Sequence, residues 1–294
     1  MDARLLTYFL AVVDHGGFVR AAAALHLSQP SLSQAIKQLE RDLGIRLFHR
    51  AGRGVTLSDP GRQLVNPARR VLRDLEVARD AVSSTRHLDH GAVDLVAMPS
   101  PAIEPLTTLT TRFRQRHPGM TISVAAAFTP DEVVESVRSG ATEIGLLGSS
   151  GRPATADLQF LPLERQPLIL ISPPGTEGEG TVRREELEGL NFVVSTRGSL
   201  MRQLVDEVLA EGNSLRVVAE VTHRTSLLPF ILAGLGHSVM PESWKDLALA
   251  AGCRVRGIAP AAHLDVAAVH RSQDLTPGAR SFLALAAEYS DNDT

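Results

Sequence analysis

Residues 25–40 read Leu25-His26-Leu27-Ser28-Gln29-Pro30-Ser31-Leu32-Ser33-Gln34-Ala35-Ile36-Lys37-Gln38-Leu39-Glu40, and the polar residues of this stretch are the ones with chemistry to offer. At helical spacing Gln29, Ser33, Gln34 and Lys37 lie away from the apolar stripe Leu32, Ile36, Leu39 and Leu43. A glutamine amide can make paired hydrogen bonds to an adenine edge, serine offers a single polar contact, and lysine neutralises phosphate. A helix face so composed is built to touch DNA. Just beyond it, Arg50 and Arg53 flank the glycine loop Ala51-Gly52-Arg53-Gly54, where the backbone can come close to a phosphate.

These side chains need a frame, and the flanking sequence supplies one. Residues 4–14 carry Leu5, Leu6, Phe9, Leu10, Val12 and Val13 at helical spacing and stop at Gly16-Gly17. A short helix with four consecutive alanines follows, then a turn at His26-Leu27. Ser28 is placed to cap the next helix, and Pro30 fits a first turn, where no internal amide bond is lost. The result is a helix-turn-helix. After Gly44 the runs 46–50 and 55–57 predict two short strands joined by the glycine loop, a wing. Ser58-Asp59-Pro60 caps a helix expected to reach residue 86, along which Leu64, Ala68, Val71, Leu75, Ala78 and Val82 form a heptad seam suited to a second copy of the chain. His87 and His90, without a third ligand, read as linker surface, and no metal site is expected.

The 294 residues, 44 % of them hydrophobic, suffice for a substantial core and more than one domain. The formal charge of -3 conceals an asymmetry: up to residue 90 there are 13 Arg and Lys against 9 Asp and Glu, and beyond it 17 against 24. A basic head on an acidic body fits nucleic-acid binding by the head. Cys253 stands alone, which excludes an intrachain disulfide and is read as a buried, inert thiol. No apolar run spans a bilayer and the first residues lack a signal-peptide core, so cytoplasmic placement without membrane contact is expected.

From Gly91 the pattern alternates: strand 93–98, helix 103–116, strand 121–127, helix 131–139 and strand 143–147. A second unit repeats it with strands 168–171, 192–195, 217–221 and 238–240 and helices 200–211 and 226–233, the glycine- and proline-rich residues 173–184 reading as a loop. A strand at 266–269 and a helix at 279–289 close the chain, with 291–294 a frayed tail.

With these residues in hand the chain resembles the LysR-type transcriptional regulators. The resemblance is carried by Phe18-Val19-Arg20-Ala21-Ala22, Leu27-Ser28-Gln29-Pro30-Ser31-Leu32-Ser33, Gln38-Leu39-Glu40, Leu43-Gly44, Leu47-Phe48, Arg50, and Thr56-Leu57 leading to Gly61. It is carried more loosely by Ala233-Gly234-Leu235-Gly236 and Met240-Pro241-Glu242. It implies a multidomain α+β chain: a winged helix-turn-helix over 1–58, a dimerising linker helix and hinge over 59–90, and a two-lobed α/β domain similar to type 2 periplasmic binding proteins over 91–294. Lobe I would comprise about 91–163 and 265–294 and lobe II about 164–264, the chain crossing between them near 163–165 and 263–265. Promoter DNA, a second copy of the chain and its tetramer, RNA polymerase and a small-molecule effector are the implied partners, with no cofactor. The DNA-contacting set is then Ser28, Gln29, Pro30, Ser31, Ser33, Gln34 and Lys37 on the helix, with Arg50 and Arg53 in the wing. Val19 departs from the family, which commonly has a hydroxyl residue there.

Effector residues follow from the lobes, since ligands of open α/β sheets sit beyond the carboxyl ends of strands. Ser100, Thr129 and Ser199 match family effector positions, and Pro101, Arg202, Thr222 and His223 join them by their place in the loops. Hydroxyls and helix amides there suit a small organic anion. An enzyme or an exported solute-binding protein could use the same two lobes. The chain lacks a phosphate-binding loop, zinc-spaced histidines and a Gly-x-Ser-x-Gly elbow, Gly236-His237-Ser238 being the nearest fragment, and solute transport has no use for a DNA-reading head.

Overall fold

The computed structural model describes residues 2–51, 54–82, 91–150, 155, 157–197, 200–209, 216–273 and 275–292. The head contains α1 (Ala3–Asp14), α2 (Phe18–Ala24), α3 (Gln29–Leu43), β1 (Phe48–Ala51) and β2 (Gly54–Leu57), and leads into α4 (Asp59–Val82). Its core is the set of apolar stripes read from the sequence: Leu6, Phe9, Val12, Leu32, Ile36 and Leu39 are buried together with Ala21 and Ala22, small enough to let α2 close on its neighbours. Phe48 of β1 packs its ring on Phe9 and Phe18, with centroids 5.5 and 5.7 Å apart. Burying Leu32 alone is worth about 2–5 kcal/mol against truncation to alanine.

The remainder runs β3 (Gly91–Ala97), α5 (Pro99–Ile103), α6 (Leu106–Arg116), β4 (Met120–Ala126), α7 (Pro130–Arg138), β5 (Ile144–Ser149), β6 (Leu158–Ser172), β7 (Thr181–Arg183), β8 (Asn191–Ser195), α8 (Leu200–Leu209), β9 (Arg216–Val221), α9 (Leu227–Leu232), β10 (Ser238–Pro241), α10 (Lys245–Ala250), β11 (Arg254–Ala259), β12 (His263–Arg271) and α11 (Pro277–Asn292). Strands β4, β3 and β5 are parallel; β12 then pairs antiparallel with both β5 and β6. The far end of β6 carries β10 on one side and β11 on the other, β7 extends β11, and β8 with β9 forms a separate parallel pair. β6 and β12 thus run as one ribbon through both sets of elements. The architecture is a helix-turn-helix head followed by a two-lobed α/β domain, with α4 between them.

Four local expectations are corrected. The helix read over 103–116 is two: Glu104 precedes Pro105 and is extended at φ -136, ψ 138, as a residue before proline prefers, so α5 ends and α6 begins anew. The strand read over 168–171 is fifteen residues long. Pro162 and Pro167 disguise its first part, and they are tolerated because residues 158–167 have a partner strand on one side alone. Thr181–Arg183, read as loop, is an edge strand beside β11. Residues 291 and 292, read as frayed, belong to the last turn of α11, and 293–294 lie outside the described residues.

Candidate functional site

The recognition surface is assembled by α3 and what holds it. Ser28 is the N-cap, its Oγ accepting from the Ser31 amide at 3.2 Å, with Pro30 in the first turn and Gly44 closing the helix at φ 70. His26 makes the turn from α2 in the left-handed region at φ 55. Ser28, Gln29, Pro30, Ser31, Gln34 and Lys37 are exposed and Ser33 half-buried, side by side on the face opposite Leu32, Ile36 and Leu39. Gln29 donates from Nε2 to Ser33 Oγ at 2.9 Å, so the two residues best suited to reading a base edge hold one another in place. Val19 is 73 % exposed, and the cap of α2 is Gly17, two residues earlier, so valine occupies an open surface position and not the cap.

The wing is clamped to this helix by a residue the family pattern contains and the site reading passed over. Glu40, at the inner end of α3, accepts from the amides of Leu47 at 2.8 Å and Phe48 at 3.3 Å. Ser58 Oγ donates to the Arg46 carbonyl at 2.6 Å and accepts from the Gly61 amide at 3.0 Å, pinning the start of α4 to the base of the wing. A side chain at Gly61 would overlap the Leu47 carbonyl, which is the physical reason for glycine there. Arg50 pairs through its backbone with Val55; Arg53 lies outside the described residues.

The effector residues are distributed unevenly. Ser100 and Pro101 are buried in α5, and Ser100 Oγ accepts from Trp244 Nε1 at 3.4 Å. Thr129 is the N-cap of α7, accepting from the Glu132 amide at 3.2 Å while Glu132 accepts from the Phe128 amide at 2.6 Å. Arg202 is buried but committed, to Asp206 at 2.7 Å, Glu220 at 3.2 Å and the Ser195 carbonyl at 3.4 Å. Thr222 and His223 are exposed at the carboxyl end of β9, and Ser199, like His87 and His90, lies outside the described residues.

Beside them stands Arg224, absent from the sequence-derived set. It is 7 % exposed and has neither an ion pair nor a side-chain hydrogen bond with any described residue; burial alone pushes its pKa down. The sequence shows a cation next to His223, but whether it has a partner is a tertiary matter. A buried guanidinium without a counter-charge is costly unless an anion arrives.

On its other side α4 is tied to the α/β domain. Arg69 reaches back to Asp14 of the head at 2.6 Å, and Arg73, 7 % exposed, faces Asp94 at 3.4 Å with Glu143 nearby. Burial raises the Glu143 pKa against the lowering effect of the Thr276 amide and hydroxyl, which donate to it at 2.8 and 3.1 Å. Val71 and Leu75, on the outward half of the heptad seam, are exposed, whereas Ala68 is spent on the head core.

Residues 3–62 match the model of the bacterial regulatory helix-turn-helix proteins of the lysR family, and residues 86–291 match that of the LysR substrate binding domain. The HTH-type transcriptional regulator IlvR of Caulobacter vibrioides is 29 % identical over 292 residues, 98 % of each chain. A variant of full-length OxyR from Pseudomonas aeruginosa shares the fold at a TM-score of 0.74 and 22 % identity, over 100 % of this chain and 96 % of its own. Full-length CbnR, solved with its target DNA, does so at 0.58 and 23 %, over 99 % and 100 %. A winged helix-turn-helix, a connecting helix and a two-lobed α/β domain, matched along almost their whole length, place this chain in the LysR family of transcriptional regulators, with a DNA-binding head and an effector-binding domain.

Proposed function

We propose that the exposed face of α3 reads promoter DNA through Gln29, Pro30, Ser33, Gln34 and Lys37, with Ser28 and Ser31 framing the helix start and Arg50 and Arg53 of the wing meeting phosphate. The observation that carries this is the Gln29–Ser33 hydrogen bond on an exposed helix face, opposite a fully buried stripe. Two heads joined through the outward seam of α4 address half-sites one helical turn, about 34 Å, or a multiple of it apart. Higher assembly into a tetramer, contact with RNA polymerase and action in the cytoplasm complete the reading. The head covers residues 1–58, the linker helix and hinge 59–90, and the sensing domain 91–294, with lobe I about 91–163 and 265–294 and lobe II about 164–264.

The effector is a small organic anion held between the lobes near Ser100, Pro101, Thr129, Ser199, Thr222 and His223, with Arg202 bracing its loop and Arg224 offering the uncommitted positive charge. That charge is what supports an anion over a neutral ligand. By binding one lobe arrangement better than another, the effector shifts the spacing of the heads.

Fluorescence anisotropy of the purified protein on the DNA upstream of its own gene tests the head. Gln29→Ala or Ser33→Ala should relax preference at a base position, costing about 1–3 kcal/mol of discrimination. Arg53→Ala should weaken all sequences alike and reduce the salt slope by roughly 0.9. Binding with no dependence on sequence would overturn the reading.

A further inference from the structure

Along the β6–β12 ribbon lies a cavity of about 890 Å3 whose walls come from both lobes: Glu104 and Thr108 at the α5–α6 break, Tyr289 of α11, and residues 242–246 after β10. None of the residues proposed for the effector lines it.

Its electrostatics are one-sided. Five carboxylates line the cavity against two cations, and both cations are already paired, Arg165 with Asp265 at 3.3 Å and Lys245 with Glu242 at 3.1 Å. Glu104, Glu164 and Asp246 are left without a cationic partner among the described residues. Glu164 accepts instead from the Tyr289 hydroxyl and from Gln166 Nε2.

A second, independent observation sits in the same wall. Gln166 is 5 % exposed; its Nε2 also donates to the Glu104 carbonyl at 2.9 Å, while its Oε1 accepts no hydrogen bond. Ser243 Oγ, in the opposite wall, is buried and unpartnered as well. An unmet buried acceptor costs more than a made hydrogen bond returns, so a site with acceptors to spare is completed by a molecule that donates. Phe160, Pro162, Leu163 and Val266 add apolar wall for a short hydrocarbon body.

We propose that this cavity is a second small-molecule site, selective for an organic ammonium compound such as a short diamine or a basic amino acid. One cationic group donates to Gln166 Oε1 and the Glu104 and Glu164 carboxylates, and Asp246 balances the second charge. Because the walls belong to both lobes and to the ribbon between them, occupancy favours one lobe arrangement over another and acts on the heads separately from the anion site. The inference does not rest on the effector assignment, since the two sites differ in charge preference and share no residue.

Isothermal titration of the full-length protein with putrescine, cadaverine and L-arginine, against glutarate and sodium chloride at equal ionic strength, tests it. Saturable binding of at least one amine is expected, with an affinity reduced about tenfold in the Glu104→Gln/Asp246→Asn double variant and likewise in Gln166→Leu. The double variant changes partly exposed or exposed carboxylates and is expected to fold. Arg224→Met should leave amine binding as it was. No saturable amine binding up to about 10 mM, unchanged affinity in the double variant, or loss of amine binding in Arg224→Met would each overturn the proposal.

Discussion

Arg202 and Arg224 are chemically the same and equally buried, yet one is satisfied and the other is not. Arg202 meets Asp206 one helical turn along and Glu220 on β9, so its removal would strand two carboxylates. Arg224 meets no carboxylate, and its burial is a cost that the fold carries until a ligand offsets it. Arg224→Met should therefore raise the urea midpoint, by about 1–4 kcal/mol of stability, while abolishing the thermal shift caused by an effector carboxylate. A variant that lost stability and kept the carboxylate response would remove Arg224 from the site. The polar face of α3 was legible residue by residue, because helical spacing alone separates Gln29 and Ser33 from Leu32 and Ile36. Arg224 was not, because a sequence displays charges without their partners.

At the scale of elements, the angle between α3 and the wing is set by Glu40, Ser58 and Gly61, which bring the ends of three elements to the Arg46–Phe48 backbone. Gly61 lies in the first turn of α4, where alanine is favourable for the helix itself, so the cost of Gly61→Ala is purely the overlap with the Leu47 carbonyl. The substitution should destabilise the head by about 1–3 kcal/mol and weaken DNA binding, read by thermal unfolding and anisotropy; a neutral result would mean that the wing base moves freely. The head's elements could be read from the sequence because each is a local periodic pattern with its own caps. The first part of β6 could not, since Pro162 and Pro167 argue against a strand until the one-sided pairing with β12 is known.

For the whole molecule, α4 faces three ways at once. Ala68 and Leu64 serve the head, Arg73 the α/β domain, and Val71 and Leu75 face outward, 39 % and 37 % exposed. That outward stripe is short, so dimerisation through it should respond to a single charge. Leu75→Asp is expected to shift sedimentation toward monomer and lower DNA affinity at least tenfold, as two heads become one. An unaltered oligomer would move the interface elsewhere. Since Arg73 couples the same helix to Asp94 and Glu143, a change in lobe arrangement has a direct route to the seam and the heads.

By itself the sequence determined the helix-turn-helix, its DNA-facing residues, the connecting helix and the alternating α/β order of the rest, because all of these are written in spacing, caps and glycine positions within a few residues of one another. Only the tertiary structure decided which buried charges are partnered, how β6 and β12 join the lobes, and that an acceptor-rich cavity opens beside that ribbon. Those depend on residues far apart in the chain meeting in a medium where an unpaired charge or an unmet hydrogen bond is expensive.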